Sequence, residues 1–417
     1  MWQDTNNDST KIRNNSNPSP EPGTCAIIRK HERGVRLLPG RQRVNLDKPD
    51  SYGQTPFSHA ARKGSLEEVE ILLSRQDVDP DKPDNYGQTP LSHAAINGQA
   101  EVVEVLLMQD SVNPNRSDNI GRTPLSYAAH GGCEEVVTIL LSRKEVNPNK
   151  PDKYGRTPLS YATEGGHMGV LELLLGRKDI KPDSPDNIGR TPFAYAAHHG
   201  CVEAVPILLG REEVDPDRTD IYGITPLAYA AEAGQEDVVK ILLGRQDVNP
   251  DRPDVNGGTP LLVAAWRGHE GVLKMLLGLE DVRSDKPDRR GRTPLSYAAD
   301  NGYEGVVKML LEREDVDPDM PDIDGRTPLL YAAMKGREGV VKILLGKEGV
   351  NADRPDKDGR GPITYAAIYG GEAVVKLLLQ REEVNPRRAD IYGQTPIRWA
   401  AKQGTRRMVA LLCSQEP

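Results

Sequence analysis

Asp84-Asn85-Tyr86-Gly87-Gln88-Thr89-Pro90-Leu91-Ser92-His93-Ala94-Ala95-Ile96-Asn97-Gly98 is the stretch on which the fold turns. Asp84 to Gly87 has the composition of a tight turn, Thr89-Pro90 supplies a helix cap followed by proline at the first helical position, and Ala94-Ala95 closes a short helix that Gly98 ends. Val102, Val103, Leu106 and Leu107 then mark a second helix with its apolar residues on one side, and Asp110 to Pro114 begins an extended return. Small alanines on the first helix and bulky leucines on the second let neighbouring layers approach closely.

The same grammar extends in both directions. Glycine stands at 53, 87, 121, 155, 189, 223, 257, 291, 325, 359 and 393, a second glycine follows each by 11 residues, and an aspartate precedes each by three. The period is 34 residues without a slip, giving 11 units of the form D-x-x-G-x-T-P-L-x-x-A-A-x-x-G-x-x-x-V-V-x-x-L-L. One unit has too little apolar surface to fold alone, so each is stabilised by its neighbours. The last unit stops at Cys413, where the others carry a second leucine. Pro22, Ala26, Val35, Leu38 and Val44 keep the register weakly, which predicts a degenerate capping unit over 21–49, ahead of the array at 50–417. Residues 1–20 have the composition of a disordered segment. Two local departures carry expectations: Pro206 removes a backbone donor from the second helix of the fifth unit, predicting a bent or shortened helix, and Gly361 replaces the capping threonine of the tenth.

Those residues resemble the ankyrin repeat family over roughly residues 21–417. The T-P-L-H-x-A signature appears as Thr89-Pro90-Leu91-Ser92-His93-Ala94 and Thr123-Pro124-Leu125-Ser126-Tyr127-Ala128, with serine where the family has histidine. The period exceeds the family's common value of about 33 by one residue. The V-N-P-D or V-D-P-D loop looks like a variant common in filamentous fungi, where such arrays often form the tail of a larger protein. The resemblance implies an all-α ankyrin repeat solenoid of stacked helix-turn-helix units with β-hairpin loops, curved into a rod on the order of 110 Å long.

It also implies a partner-binding concave face, built from the tips and the exposed ends of the first helices, at positions 1, 2, 4, 12 and 13 after each aspartate. The second of these reads Tyr52, Tyr86, Ile120, Tyr154, Ile188 and Tyr222, turns polar from Asn256 to Asp358, and returns to Tyr392. Exposed aromatics in a row suit anchoring, although tyrosine at a tip also serves as plain repeat packing. The fourth position gives Arg122, Arg156 and Arg190, then Arg292, Arg326 and Arg360, interrupted by Ile224 and Gly258. Such arginines either grip an acidic peptide or pair with nearby aspartates. Trp266 falls at the end of a first helix within the interruption. The expected partner-binding residues are therefore Trp266, Tyr222, Ile224, Arg190 and Arg292, with Tyr154, Tyr86 and Tyr52.

Composition bounds the remaining classes. Of 417 residues, 37% are hydrophobic and only 5% aromatic, which suits many thin layers rather than one large core. The formal charge of -8 is distributed as an acidic body with basic ends, so a phosphate-tracking surface and a nucleic-acid partner are not expected. No apolar run approaches a membrane span, and the amino terminus lacks a secretory pattern, so the expected location is intracellular, in cytoplasm or nucleus. Cys25, Cys133, Cys201 and Cys413 make no CxxC pair and are expected to be reduced thiols. His130, Cys133, His167, His198, His199 and Cys201 come from successive layers and are too spread for one zinc ion; the acidic loops lack the glycine and terminal glutamate of a calcium loop. No phosphate-binding loop, nucleophile elbow, zincin or dinucleotide motif occurs. The expectation is a monomeric, non-enzymatic scaffold without cofactor that binds a protein or peptide. The alternative is a regulatory or structural tail of a larger effector system, such as a fungal nucleotide-binding receptor.

Overall fold

The structure, a computed structural model, describes residues 47–369 and 371–413. The expected disorder of residues 1–20 and all but the end of the capping unit at 21–49 lie outside them. The chain divides into two compact units, one ending at Lys181 and the other beginning at Pro182. The first holds the repeats that open at Asp50, Asp84, Asp118 and Asp152; the second holds the seven that open at Asp186 through Asp390.

Every repeat is a pair of short helices, as Pro90–Ile96 and Ala100–Leu107 show in the second. The threonine before every first helix but that of the tenth repeat is in extended geometry and its hydroxyl accepts the amide three residues on, for example Ser92 N–H to Thr89 Oγ1 at 3.2 Å. Proline then occupies the first helical position, where its missing N–H costs nothing. Within each unit, first helices pack on the first helices of the next repeat and second helices on second helices. Leu91, Ala94, Ala95, Val103 and Leu106 are fully buried, and the corresponding positions are buried in the other layers except the last, where Ile397 and Val409 are half-buried and Ala401 is exposed. Alanine keeps the first helices close, and branched side chains fill the space against the second.

The expected β-hairpin loops are absent, since no strand occurs among the described residues. The cause is the opening aspartate. Asp50 N–H does donate to the Gln54 carbonyl at 2.9 Å, but the Gln54 N–H that would return the bond donates to Asp50 Oδ1 instead, as does Tyr52 N–H. A ladder requires reciprocal backbone pairs, and the carboxylate takes the donors. Adjacent tips share one backbone bond, such as Asn85 N–H to the Tyr52 carbonyl at 2.9 Å. The tip glycine is required twice over: Gly121 has φ of 96°, and a Cβ there would stand 2.8 Å from Lys153 N of the next tip.

Pro206 shortens its helix as expected. The second helix of the fifth repeat runs only over Ala204–Leu209, against Glu236–Leu243 in the next repeat. Proline cannot donate to the Val202 carbonyl, so the helix starts late. At Gly361 the Thr364 amide turns to the Gly361 carbonyl at 3.0 Å, the side-chain acceptor being absent.

Candidate partner-binding surface

The opening aspartate is the organising group of every tip. Its Oδ1 accepts two backbone amides of the turn, and its Oδ2 faces the side chain nine residues on, in the first helix. That side chain donates in 10 of the 11 repeats. The donors are His59 and His93 at 2.9 and 3.0 Å, then the hydroxyls of Tyr127, Tyr161, Tyr195 and Tyr229 at 2.6, 2.7, 2.9 and 2.8 Å. Tyr297, Tyr331 and Tyr365 follow at 2.8, 2.5 and 2.7 Å, and Trp399 Nε1 at 2.9 Å. This clasp ties each tip to its own helix. Burial alone would raise the Asp84 carboxyl, but the His93 ring and the turn amides outweigh it and hold it low. Asp390 is likewise held low against burial, by the Gln394 amide and the Trp399 indole.

The seventh repeat breaks the pattern. Val263 stands where the clasp donor belongs, and Gly258 where every other repeat but the sixth, with Ile224, carries arginine or glutamine. Asp254 still closes its turn, accepting Asn256 and Gly258 amides at 2.7 and 2.8 Å, but its buried Oδ2 accepts nothing among the described residues. Burial pushes this carboxyl up despite the turn amides. Sequence reasoning passed over this site, although the signal was present: the column nine residues after each aspartate contains His, Tyr or Trp everywhere except Val263.

The expected contact residues fall into three groups. Tyr52, Tyr86, Tyr154 and Tyr222 are 40%, 54%, 47% and 46% exposed, on tips whose backbone is locked by the aspartate. Ile221 and Val255, one residue after the aspartate in repeats six and seven, are exposed beside them. Trp266 is partly buried, edge-on to the Tyr297 ring at 6.4 Å, with the Arg267 guanidinium 4.1 Å from its own ring centroid. Ile224, at 8% exposed, is packed inside.

The arginines are committed within the protein. Arg122, Arg156 and Arg190 each donate Nε to their own repeat's aspartate at 2.9, 3.1 and 3.0 Å, and each lies over the clasp tyrosine. Arg292 sits between the Tyr297 and Tyr331 rings, 3.9 and 4.1 Å from their centroids, and pairs with Asp300 at 3.0 Å. Pairing with aspartates is thus the role these side chains fill.

A second ladder joins the loops between helices. Where an aspartate also stands three residues before the tip aspartate, it receives a cation from the next repeat: Arg116 on Asp81, Arg252 on Asp217, Lys286 on Asp251 and Arg354 on Asp319, at 2.9, 2.8, 2.8 and 2.9 Å. Asp285 is the exception, because Met320 occupies the cation's place. Burial, together with Asp317 and Asp315 nearby, pushes its carboxyl up to about 6. His167 Nε2 bonds the His130 carbonyl at 2.9 Å, stapling one layer to the next, and burial raises the Cys133 and Cys201 thiols, so neither is activated. Among the described residues no group of His, Cys, Asp and Glu is placed to hold a metal ion, and no helix is long and apolar enough to cross a membrane.

A family model for ankyrin repeats in three copies matches the chain at 24–118, 110–186, 178–254, 261–356, 314–390 and 348–417. The chain belongs to the ankyrin repeat family. That family is a non-catalytic scaffold fold whose repeats generally mediate protein–protein interaction. No curated protein matches the chain significantly.

Proposed function

We propose that the chain binds a protein or peptide partner on the face carrying the tips and the ends of the first helices, with its main contact over repeats five to eight. Trp266 is the centre, bordered by Tyr222, Arg190 and Arg292, with Ile224 as packing support. Tyr52, Tyr86 and Tyr154 form a further row of anchors on the amino-terminal unit. The observation that carries this reading is the set of exposed tyrosines on rigid turns. Tyr222 is 46% exposed, yet its amide is fixed by Asp220 Oδ1 at 2.9 Å and its carbonyl by Val255 N–H at 2.8 Å. A large amphipathic ring on an immobile backbone buries area at low entropic cost, which is what an anchor requires.

The partner is a polypeptide rather than a nucleic acid, because the arginines that would meet phosphates are already paired and the net charge is -8. The thiol of Cys133, which forms no disulfide, supports a reducing intracellular compartment, cytoplasm or nucleus. The V-D-P-D loops are what support a fungal setting. Affinity capture with wild-type chain and with a Tyr222→Ala, Trp266→Ala double variant, compared by quantitative mass spectrometry, tests the assignment. A specific partner should be depleted on the double variant, and equal recovery on both would remove the surface.

A further inference from the structure

Repeat seven keeps its tip aspartate but has lost both groups that serve it. Asp254 is 8% exposed, and its Oδ2 has no hydrogen-bond donor among the described residues. In repeats three, four and five the equivalent oxygen takes two donors from its own repeat, a tyrosine hydroxyl and an arginine guanidinium. In repeat seven those residues are Val263 and Gly258. Glycine is not demanded by the backbone there, since Gly258 is absent from the positive-φ residues that include Gly257 and Gly268 on either side. A Cβ on Gly258 would stand 3.1 Å from Asp254 Oδ2, so the unserved oxygen faces the position from which the arginine side chain has been removed. Trp266 lies three residues beyond Val263 on the same helix, one turn along the same side.

We infer that repeat seven is the receptor for an arginine side chain of the partner, whose guanidinium takes the place cleared by Gly258 and donates to Asp254 Oδ2 beside Trp266. The inference rests on the contact surface proposed above and names the chemistry that surface recognises. The guanidinium is the fitting group because the chain itself uses it on this oxygen in repeats three, four and five and, from the preceding repeat, on Asp390, and its planar fork matches a carboxylate that a lysine ammonium meets only as a point charge. A buried carboxylate oxygen without a donor is unfavourable for the free protein, and that cost is relieved on binding. Asp254 thereby selects for a basic side chain and against a neutral one.

A random dodecapeptide library displayed on phage, panned against the full chain, supplies the probe. Enriched peptides should share an arginine. Synthetic copies with that arginine replaced by citrulline, which keeps the shape and loses the charge, should bind at least about tenfold more weakly. Gly258→Arg places the chain's own guanidinium on Asp254 once the carboxylate moves aside from a Cβ 3.1 Å away, and should weaken the arginine peptides by about tenfold or more with the helical circular dichroism spectrum retained. Val263→Tyr, which supplies the clasp hydroxyl, should weaken them by a second route should the first variant fold poorly. Peptides that lose affinity on Trp266→Ala but tolerate citrulline, Gly258→Arg and Val263→Tyr would overturn the arginine receptor and leave the contact surface standing. Peptides indifferent to every variant, or no enrichment at all, would overturn both.

Discussion

Tyr229→Phe recreates in repeat six the situation that repeat seven has by sequence. The Tyr229 hydroxyl is the only donor on Asp220 Oδ2 among the described residues, at 2.8 Å, because the fourth position of that repeat is Ile224 and brings no guanidinium. Phenylalanine keeps the ring and its edge contact with His198, so packing is preserved and only the bond is removed. Hydrogen bonds to charged groups contribute about 1.5–3 kcal/mol, and a 7%-exposed aspartate has little water to fall back on, so the loss should fall in that range. Tyr195→Phe, in the same compact unit, is the control: Asp186 Oδ2 keeps Arg190 Nε at 3.0 Å, and the loss should be only about 0.5–1.5 kcal/mol. Urea unfolding followed by circular dichroism gives the midpoints. Since arrays need not unfold in one step, hydrogen exchange of the Tyr222 and Ile224 amides, both bonded to Asp220, localises the effect. Equal losses for the two variants, or a loss below about 0.5 kcal/mol for Tyr229→Phe, would refute the clasp as a stabilising device.

Gly361→Thr should stabilise by about 0.5 kcal/mol through a restored cap and a less flexible unfolded chain, since a Cβ there meets nothing nearer than 3.5 Å; a lower melting temperature would contradict it. Met320→Arg should give Asp285 its missing cation. In the native wild type that carboxyl sits at about 6, above its unfolded value, so its stabilising contribution is complete below the unfolded pKa and is lost as pH rises through 6. The variant should therefore gain up to about 1 kcal/mol at pH 7–8 and gain nothing near pH 4, and a pH-independent gain in melting experiments would remove the argument. Pro206→Lys should extend the short helix back toward Val202 and slow exchange of the new amide at 206; an amide at 206 exchanging at the rate of an open loop would show that something other than the proline sets the helix start.

The layered helix pairs were legible because their signals are local and repeated: the Thr-Pro cap, the alanine pair, the glycine breaks and the valine-leucine face each act within one unit. Pro206 was legible for the same reason, through a single missing donor. The hairpin was not, because its absence follows from a competition in which Asp50 and its equivalents take the amides that a ladder needs. Ile224 was expected at the surface from its place in the arginine column, and it is buried because an aliphatic side chain has no charged end to carry into solvent. The clasp was readable only by setting the column nine residues after the aspartate beside the aspartate itself, and the two become partners only once the helix brings them together. Asp285 and Met320 are the same kind of pair, 35 residues apart in sequence and adjacent in the stack.

The central claim, a partner anchored on repeats five to eight, is met most directly by titration of the captured partner against wild type, Trp266→Ala and Tyr392→Ala, with circular dichroism melts of all three. Trp266→Ala should lose at least about 2 kcal/mol of binding, roughly thirtyfold in affinity, while melting close to wild type, and Tyr392→Ala should bind as wild type does. Equal affinity for wild type and Trp266→Ala would contradict the claim, as would a Trp266 variant that loses its fold, which would make the indole a core residue rather than a contact.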